Sequence, residues 1–240
     1  ICFQLSYSMN NFPESKNLFC FWADDNEMSE IRKKCLESLS NTEMNIRFLD
    51  KTAIKAWELE GYPFHLGYRY LSATHKSDYL RAYFMHHYGG GYTDIKYIDF
   101  SWLPAFNRLI DSDAYIEGYP EIGIIGITRK KGLFYFLRLA FIVNKLVGCG
   151  AFLCKPRTPF TNDWMDGVHQ VLDQHYKSLK ANPASGPLDF FNMKLTDGSR
   201  SKYPLTHSAF SGEVFHLICS KYTNKIGRTL TAFDFKLPYK

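Results

Sequence analysis

The sequence predicts a single domain of the α/β class, because strand-like and helix-like segments alternate along its 240 residues. A chain of this length can bury the core of one large domain. Its hydrophobic share of 45% and charged share of 22% are those of a folded globular protein, which excludes a disordered chain, a collagen and a coiled coil. We therefore expect one domain over residues 1–240, with residues 181–240 as a C-terminal segment that completes it.

The first half of the chain predicts two strands and three helices. The apolar run at residues 17–23 and the segment NIRFL at residues 45–49 are typical of strands. Gly89 can end the third helix in the left-handed conformation. Three residues can cap the first helix: Asp24, Asp25 and Asn26. The helices are expected at residues 28–39, 53–59 and 74–88, with a break at residues 61–63.

The second half predicts a similar alternation of shorter elements. Thr161 or Asn162 can cap its last long helix. Polar and proline-rich breaks are expected at residues 181–187 and 197–201. The strands are expected at residues 92–97, 114–117, 122–127 and 149–155. The helices are expected at residues 101–110, 133–147 and 161–179.

The most apolar stretch, residues 133–147, is interrupted by Arg138 and Lys145. These two residues are seven positions apart and lie on one helical face, which predicts an amphipathic core helix. The interruption excludes a transmembrane span. Peripheral contact of this helix with a membrane surface stays open.

The net charge and the cysteine pattern indicate which classes of ligand and which cellular compartment to expect. The chain has 29 Lys and Arg against 24 Asp and Glu, a net charge of +5, which favours anionic ligands. Only two short basic runs occur, at residues 32–34 and 129–131, so binding of single-stranded nucleic acid ranks last despite an aromatic share of 17%. The six cysteines form no CxxC pair and no zinc-type spacing, so we expect free thiols in the cytoplasm. Because the chain begins at Ile1 rather than Met, it can be a fragment without an upstream targeting or anchoring segment.

The stretch THKSDYLRAYFMHHYGGGYTDIK, residues 74–96, is the most informative part of the sequence. Asp78 and Arg81 lie side by side on the predicted helix, either as a surface ion pair or as part of a site. The helix leads into three glycines and then a strand that ends in Asp94 and Lys96. Because ligands of open α/β sheets bind at the carboxyl ends of strands, this unit is a candidate site.

The unit resembles the sugar-binding region of nucleotide-sugar-dependent glycosyltransferases of the GT-A fold. That group includes capsular polysaccharide and mannosyltransferase-like enzymes with a DXD motif. Its pattern, Ser-Asp-x-x-Arg and then Gly-Gly-x-Tyr-x-Asp-x-Asp, matches nearly every position of SDYLR at residues 77–81 and of YGGGYTD at residues 88–94. A weaker resemblance lies in Phe21-Trp22-Ala23 followed by Asn26, which looks like the strand end that holds the nucleotide base. The resemblance implies a Rossmann-like mixed sheet flanked by helices.

Carried over to this chain, the resemblance implies a donor-binding set. Asp78 and Arg81 would contact the donor sugar or the diphosphate, and Asp94 would be the first acid of the DXD motif and a metal ligand. A guanidinium offers a bidentate fork to phosphate, and a carboxylate accepts hydrogen bonds from sugar hydroxyls. Gly91 would let the backbone approach the ligand. Three residues at the end of the first strand complete the set, with their aromatic rings either a stacking wall for uracil or part of the core: Phe21, Trp22 and Ala23.

Lys96 stands where the pattern has its second acid. That acid would ligate a divalent cation, Mn²⁺ or Mg²⁺, and a lysine cannot do so. One alternative makes Asp94 and Lys96 the catalytic pair, with the ammonium group beside the diphosphate in place of a metal. The other retains a weaker metal site at Asp94 with help from Asp99. We favour the second, because metal use is the rule in the group that the sequence resembles.

The C-terminal segment holds two candidate acceptor-binding residues. In GEVFH, residues 212–216, helical spacing puts Glu213 and His216 on one face, where they can act as a base or bind phosphate. A helix-surface pair is the alternative. Asp163 and Asp166 are expected in the first turn of their helix, where capping and the helix dipole explain them.

These observations favour a transferase. We expect a glycosyltransferase that moves a hexose or deoxyhexose from a nucleoside diphosphate donor, first of all a UDP-sugar, to a glycan acceptor in polysaccharide biosynthesis. The alternative is an inactive module of the same fold that binds a nucleotide-sugar or a glycan, because Lys96 breaks the motif. Turnover of a UDP-sugar distinguishes the two.

Overall fold

The computed structural model describes residues 12–121, 132–231 and 233, and its centre is a six-stranded sheet. The strands are β1 Asn17–Trp22, β2 Asn45–Asp50, β3 Gly90–Thr93, β4 Ile116–Pro120, β5 Val147–Cys154 and β6 Ile226–Gly227. Their order across the sheet is β2-β1-β3-β5-β4-β6.

Five strands run in one direction and β5 runs against them. β1 is parallel to β2 and β3, and β6 is parallel to β4, whereas β5 is antiparallel to both β3 and β4. The carboxyl ends of β1, β3 and β4 therefore meet the amino end of β5. We call this the carboxyl edge, and define it by Ala23, Asp94, Glu121 and Cys149.

Helices cover the sheet, and several begin at a side chain that caps them. Ser29, Asp50, Ser72 and Thr158 each accept a hydrogen bond from a backbone N–H of the first turn. The described α-helices are α1 Glu30–Ser38, α2 Lys51–Ala56, α3 Ala73–His87, α4 Leu103–Asp111, α5 Leu133–Phe141, α6 Pro159–Ala181 and α7 His216–Lys221.

The caps predicted for α1 and α6 are wrong. Ser29 caps α1 in place of Asp24, Asp25 or Asn26, because the helix begins only at Glu30, directly after Ser29. Thr158 caps α6, because Pro159 fits the first helical position directly after it. Thr161 instead completes a capping box with Thr158.

Several predicted elements have different bounds in the structure: the helix expected at residues 53–59 is Lys51–Ala56, and the strand expected at residues 114–117 is Ile116–Pro120. The strand expected at residues 92–97 is Gly90–Thr93, which pairs with β5 only from Ala151 to Cys154. The helix expected at residues 133–147 ends at Phe141, because Val147 already begins β5. The strand expected at residues 122–127 lies outside the described residues.

Helix α5 differs from the predicted core helix in what it buries. Leu139 is fully buried, but Leu133, Leu137 and Phe141 are 73%, 55% and 88% exposed. These three residues lie at i, i+4 and i+8, so an apolar stripe of the helix faces outward. The side chain of Arg138, on which the prediction also rested, lies outside the described part.

The hydrophobic core lies on both faces of the sheet. One cluster joins β1 and β5 to α3 and α6, and it includes Phe210, Phe215 and Ile226 of the C-terminal segment. The other joins β1 and β5 to α1 and α4, with Trp102 fully buried at its centre. The predicted α/β class is therefore confirmed as a mixed sheet flanked by helices, consistent with a GT-A-like fold.

Two further expectations concern the whole chain. The cysteines of the described part, Cys20, Cys35, Cys149, Cys154 and Cys219, are free thiols as expected. Within the same residues, no helix has both the length and the apolar character needed to cross a bilayer.

Candidate functional site

The topology explains why residues far apart in sequence meet at the carboxyl edge. Asp94 directly follows β3, Glu121 directly follows β4, and Cys149 is near the start of β5. The backbone N–H of Asp94 donates to the carbonyl of Gly150 at 2.7 Å, which fixes the end of β3 against the start of β5. A candidate site at strand ends is thus assembled from both halves of the chain.

Arg81 is the central cation of this edge. Its Nη1 lies 3.1 Å from the Asp78 carboxylate and donates to the Cys149 carbonyl at 2.8 Å. The guanidinium lies over the Tyr92 ring, 4.6 Å from its centroid. The Asp78 and Arg81 side chains are only 7% and 11% exposed. The alternative of a surface ion pair is therefore wrong, and the pair is a buried one.

Asp94 accepts from three neighbouring side chains. The Tyr92 hydroxyl donates to its Oδ1 at 2.7 Å, Arg81 Nη2 lies 3.4 Å from the same oxygen, and Lys96 Nζ lies 3.1 Å from Oδ2. Burial by itself would raise the pKa of Asp94, but the charges of Arg81 and Lys96 and these hydrogen bonds outweigh it and hold the pKa below its usual range. Asp94 is therefore ionised and paired with two cations.

Lys96 turns back onto the site. Its side chain is 13% exposed, and its ammonium group lies 5.0 Å from the centroid of the Phe233 ring as well as beside Asp94. The alternative of a lysine stem that points to solvent is thus wrong. Asp78, Arg81, Asp94 and Lys96 form a line of alternating charges, which we call the charge line.

The glycines before Asp94 serve close packing of the backbone. Gly90 has a φ of +87°, and a Cβ there would lie 2.4 Å from the carbonyl oxygen of Asn17 in β1. A Cβ on Gly91 would lie 2.8 Å from side-chain atoms of both Leu18 and Leu153. Gly91 is therefore explained by packing within the sheet, and the donor contact expected there stays a prediction.

The three donor-binding residues predicted at the end of β1 have different surroundings. Phe21 is 7% exposed and packs against Tyr92 and Phe84, with ring centroids 5.6 and 4.9 Å apart, so it is core. Trp22 is partly exposed, and its Nε1 donates to the Asn26 carbonyl at 2.8 Å. Of the two rings, Trp22 is the one that a base can reach. Ala23 lines a cavity.

That cavity, of about 430 Å³, is basic. Ala23 lines it together with four cations and one acid, which are Lys51, Lys55, Arg69, Lys76 and Glu58. Glu58 is paired with Lys55. Lys51 is paired with Asp25 at 2.6 Å. Burial lowers the pKa of Lys76, so an anion would be a favourable neighbour for its ammonium group. The cavity suits an anionic ligand at the end of β1.

The residues around Asp94 do not fit a divalent cation. Both oxygens of Asp94 already accept from Arg81, Tyr92 and Lys96, and a cation would meet two positive charges there. Asp99 is exposed. Within residues 12–121, 132–231 and 233, no group of three or more His, Cys, Asp or Glu side chains is arranged so that it could hold a metal ion. The retained metal site that we expected thus lacks ligands in the described part.

The two predicted acceptor residues face different neighbours. A π-helical turn over Ser211–Phe215 precedes α7 and changes their helical phase. The Glu213 carboxylate accepts from the hydroxyls of Thr206 and Ser208 and lines a second cavity, of about 660 Å³, beside α6. His216 is 1% exposed and turns to the carboxyl edge. The structure does not bring the pair together on one face.

His216 introduces residues that the sequence did not point to. Its Nε2 lies 3.4 Å from the Cys149 sulfur and 3.2 Å from the Glu121 carboxylate. Burial would lower the pKa of His216, but Cys149 and Glu121 outweigh it and raise the pKa to about 10. No spacing signal could have found Cys149 and Glu121, because their meeting depends on β5 running against β4. We call Cys149, His216 and Glu121 the thiol cluster.

A comparison with known protein families finds a match in the first half of the chain. Residues 13–115 match the family model described as "glycosyltransferase sugar-binding region containing DXD motif". The match covers less than half of the chain, contains the whole charge line and ends before β4. No curated protein and no solved structure matches the chain significantly. The match supports a glycosyltransferase-like sugar-binding region in these residues.

Proposed function

We propose that this protein is a glycosyltransferase that moves a sugar from a nucleoside diphosphate donor to a glycan acceptor at the carboxyl edge. The observation that carries the proposal is the charge line, which lies at the strand ends and inside the residues that match the sugar-binding family. Burying charges costs free energy even when they are paired. Four such residues at a ligand-binding edge therefore favour a functional role over a structural one.

Lys96 and Arg81 are the proposed counter-charges for the leaving diphosphate. Arg81 is held in place by Asp78 and the Cys149 carbonyl. Lys96 is held by Asp94 and the Phe233 ring on a long flexible stem. When a diphosphate arrives, the Lys96 ammonium group turns from Asp94 to the phosphate oxygens. Fixed positive charge of this kind stabilises the charge that develops on a leaving group.

Asp94 then accepts hydrogen bonds from hydroxyl groups of the donor sugar. Its pKa below the usual range keeps it an acceptor at neutral pH. Asp78 acts through Arg81, because its carboxylate is buried against that guanidinium. We propose it as a positioning residue rather than as the direct donor contact that the resemblance implies.

The nucleoside half of the donor is proposed to lie beside Trp22 and Ala23. Trp22 gives an aromatic face at the end of β1, and the basic cavity beside Ala23 carries Lys51 and Lys76 for an anionic group. Stacking of this kind accepts any base. We propose uridine first and a hexose or deoxyhexose as the transferred sugar, as the resemblance implies.

The acceptor is proposed to use the cavity beside α6. Glu213, Gln170, Gln174 and His175 line it, and their side chains can hydrogen-bond sugar hydroxyls. A glycan of a polysaccharide pathway is the acceptor that we propose. His216 has no part in this surface, since it faces the thiol cluster.

The test is donor binding and turnover in one series. Thermal unfolding is measured with a panel of nucleoside diphosphate sugars, with and without Mn²⁺, because a bound donor raises the midpoint by mass action. Release of nucleoside diphosphate is then measured for the donor that binds, with Asp94→Asn as the site variant and Asp99→Asn as its exposed control. We expect binding and turnover that Asp94→Asn loses and Asp99→Asn keeps. No midpoint shift at millimolar donor would contradict the proposal.

A binding module without turnover is the second candidate. It is favoured by one observation, the contact of Lys96 with Asp94, which already neutralises the acid that the motif provides. The same series separates the two functions. A donor that raises the unfolding midpoint but is never cleaved, with or without acceptor glycans, would favour the module.

Location and domain organisation are also proposals. We propose that residues 181–240 complete the same domain and that the protein works in the cytoplasm. The exposed apolar stripe of α5 is proposed to touch a membrane surface. Sedimentation with anionic lipid vesicles tests the contact, and Leu137→Glu should reduce it while Leu188→Glu, another exposed leucine, should not.

A further inference from the structure

Cys149 differs from the other described cysteines in access and in neighbours. It is partly exposed, whereas Cys20, Cys35, Cys154 and Cys219 are at most 3% exposed. Its sulfur lies 3.4 Å from His216 Nε2. The same nitrogen lies 3.2 Å from the Glu121 carboxylate. Only Cys149, among the described cysteines, thus combines access with a titratable partner.

The charged side chain next to this sulfur is His216. His216 is cationic at neutral pH, because Cys149 and Glu121 raise its pKa to about 10 against the effect of burial. An imidazolium beside a cysteine stabilises the thiolate, which is the nucleophilic form. The groups that face Cys149 come from three elements: Asp78 and Arg81 on α3, Tyr119 and Glu121 at β4, and His216 and Cys219 on α7. Arg81 is paired with Asp78 and Asp94, so the cation in contact with the sulfur is His216.

We propose that Cys149 is a site of covalent thiol modification, oxidised by hydrogen peroxide and alkylated by soft electrophiles, with His216 as its proton partner. The site is independent of sugar transfer, since it needs only the thiol cluster and access from solvent. It lies at the carboxyl edge, where the backbone carbonyl of Cys149 accepts a hydrogen bond from Arg81.

The oxidation step balances without a further reagent. The Cys149 thiolate attacks one oxygen of the peroxide, an S–O bond forms and the O–O bond breaks. The leaving hydroxide takes the proton of the His216 imidazolium and becomes water. Sulfur is oxidised by two electrons to a sulfenic acid, and the peroxide is reduced by the same two electrons. Alkylation by iodoacetamide forms an S–C bond and releases iodide.

The experiment measures the rate of modification at each cysteine. Folded protein with Cys2→Ser, which removes the thiol outside the described residues, is treated with iodoacetamide, and peptides are quantified by mass spectrometry. Cys149 should react at least about tenfold faster than the four buried cysteines. Hydrogen peroxide with dimedone should label the same residue as a sulfenic acid. Equal rates at all cysteines would overturn the proposal.

The proton partner is tested by a matched pair of variants. His216→Gln should slow alkylation of Cys149 about tenfold at neutral pH, because the neutral amide no longer favours the thiolate. His207→Gln, an exposed histidine, is the control and should leave the rate unchanged. Circular dichroism checks that both variants are folded. A folded His216→Gln that reacts as fast as the parent protein would contradict the role of His216.

A third measurement needs no variant of the cluster. In guanidinium, where the chain is unfolded, the alkylation rate of Cys149 should fall about tenfold for each pH unit below its ordinary titration range. In the folded protein the rate should fall less steeply with pH than in guanidinium, because His216 lies 3.4 Å from the sulfur and an adjacent imidazolium stabilises the nucleophilic form. Parallel pH profiles of the folded and unfolded chains would mark Cys149 as an ordinary thiol and overturn the proposal.

Discussion

The charge line and the ion pair between α6 and α7 use the same residue types in opposite surroundings. Asp78 and Arg81 are 7% and 11% exposed and face Asp94 and Lys96. Asp163, which pairs with Lys221 and accepts from the Tyr222 hydroxyl, is 30% exposed, and Lys221 is 61% exposed. The sequence pattern predicts Asp78 as one half of an i, i+3 pair and Asp163 as a first-turn acid. The second prediction is wrong, because α6 begins at Pro159 and its first turn holds no acid. The two groups of charged residues differ in the burial of their pairs: Asp78 and Arg81 are buried, whereas Lys221 is exposed.

The contrast has an energetic side. An exposed ion pair gains little, since water screens it and two long side chains lose freedom. A buried one gains more from each contact but leaves a desolvated charge behind when one partner is removed. Substitutions in the charge line should therefore change the free energy of unfolding more than substitutions in the pair between α6 and α7.

Arg81→Ala should have the largest effect. It leaves the buried Asp78 without its cation and Asp94, which is 27% exposed, with Lys96 alone. Removal of one partner from a buried pair costs about 3–5 kcal/mol. Chemical denaturation measures the loss. Arg200→Ala is the control, because the Arg200 side chain is exposed and its hydrogen bond within the described residues goes to the Asn192 carbonyl. Loss of activity with unchanged stability would show that Arg81 is not a structural centre of the charge line.

Lys96→Met should lower the rate of sugar transfer about 100-fold, the usual effect of losing one electrostatic stabiliser. Methionine keeps the apolar stem and removes the charge. Transfer by the parent protein should survive EDTA, since the residues around Asp94 do not fit a metal ion. Lys34→Met, on the exposed side of α1, is the control.

Metal dependence gives the opposite outcome. If EDTA abolished transfer and Mn²⁺ restored it, while Lys96→Met changed little, the charge would come from a cation and not from the lysine. The charge line would then be a resting arrangement that opens when the donor and the metal bind.

Gly90→Ala tests the backbone that carries Asp94. A side chain at a φ of +87° costs about 1–3 kcal/mol, and the Cβ would also overlap the Asn17 carbonyl. Gly186→Ala is the matched control, because a Cβ there meets no atom within 4 Å and its φ is ordinary. Thermal unfolding should separate the two variants. Equal midpoints would show that the end of β3 can relax without cost.

Much of the first half could be predicted from the sequence, because its signals are local. The strands β1 and β2, helix α3 and the left-handed Gly89, with a φ of +66°, each follow from a short pattern. The side-by-side placement of Asp78 and Arg81 follows from helical periodicity. Helical periodicity does not show whether the pair is buried, so the same pattern is also typical of a surface ion pair.

The second half of the chain was less predictable. Its residues reach the candidate site because of the direction of β5 and the path of the C-terminal segment, and neither can be predicted from a local pattern. Cys149 joins the site because β5 is antiparallel, and a strand pattern carries no direction. The π-helical turn before α7 turned His216 away from Glu213, which helical spacing could not foresee. The exposed stripe of α5 has the same origin, since apolar spacing shows a face but not what covers it.

Asp163→Asn should have the smallest effect and the clearest pH signature. The hydrogen bond from Lys221 lowers the pKa of Asp163, with a further contribution from Tyr222. A carboxylate whose folded pKa is depressed adds stability above its unfolded pKa, near 3.8, and loses it as pH falls through the folded value. At neutral pH the variant should therefore be less stable by about 0.5–1 kcal/mol, as expected for an exposed pair. The difference should shrink towards zero as the solution is acidified below the unfolded pKa. Denaturation curves over that range measure it, with Asp166→Asn, an exposed acid of the same helix, as the control that should show no such trend. If Asp163→Asn lowered the free energy of unfolding as much as Arg81→Ala does, the ion pair between α6 and α7 would stabilise the fold as strongly as the charge line does.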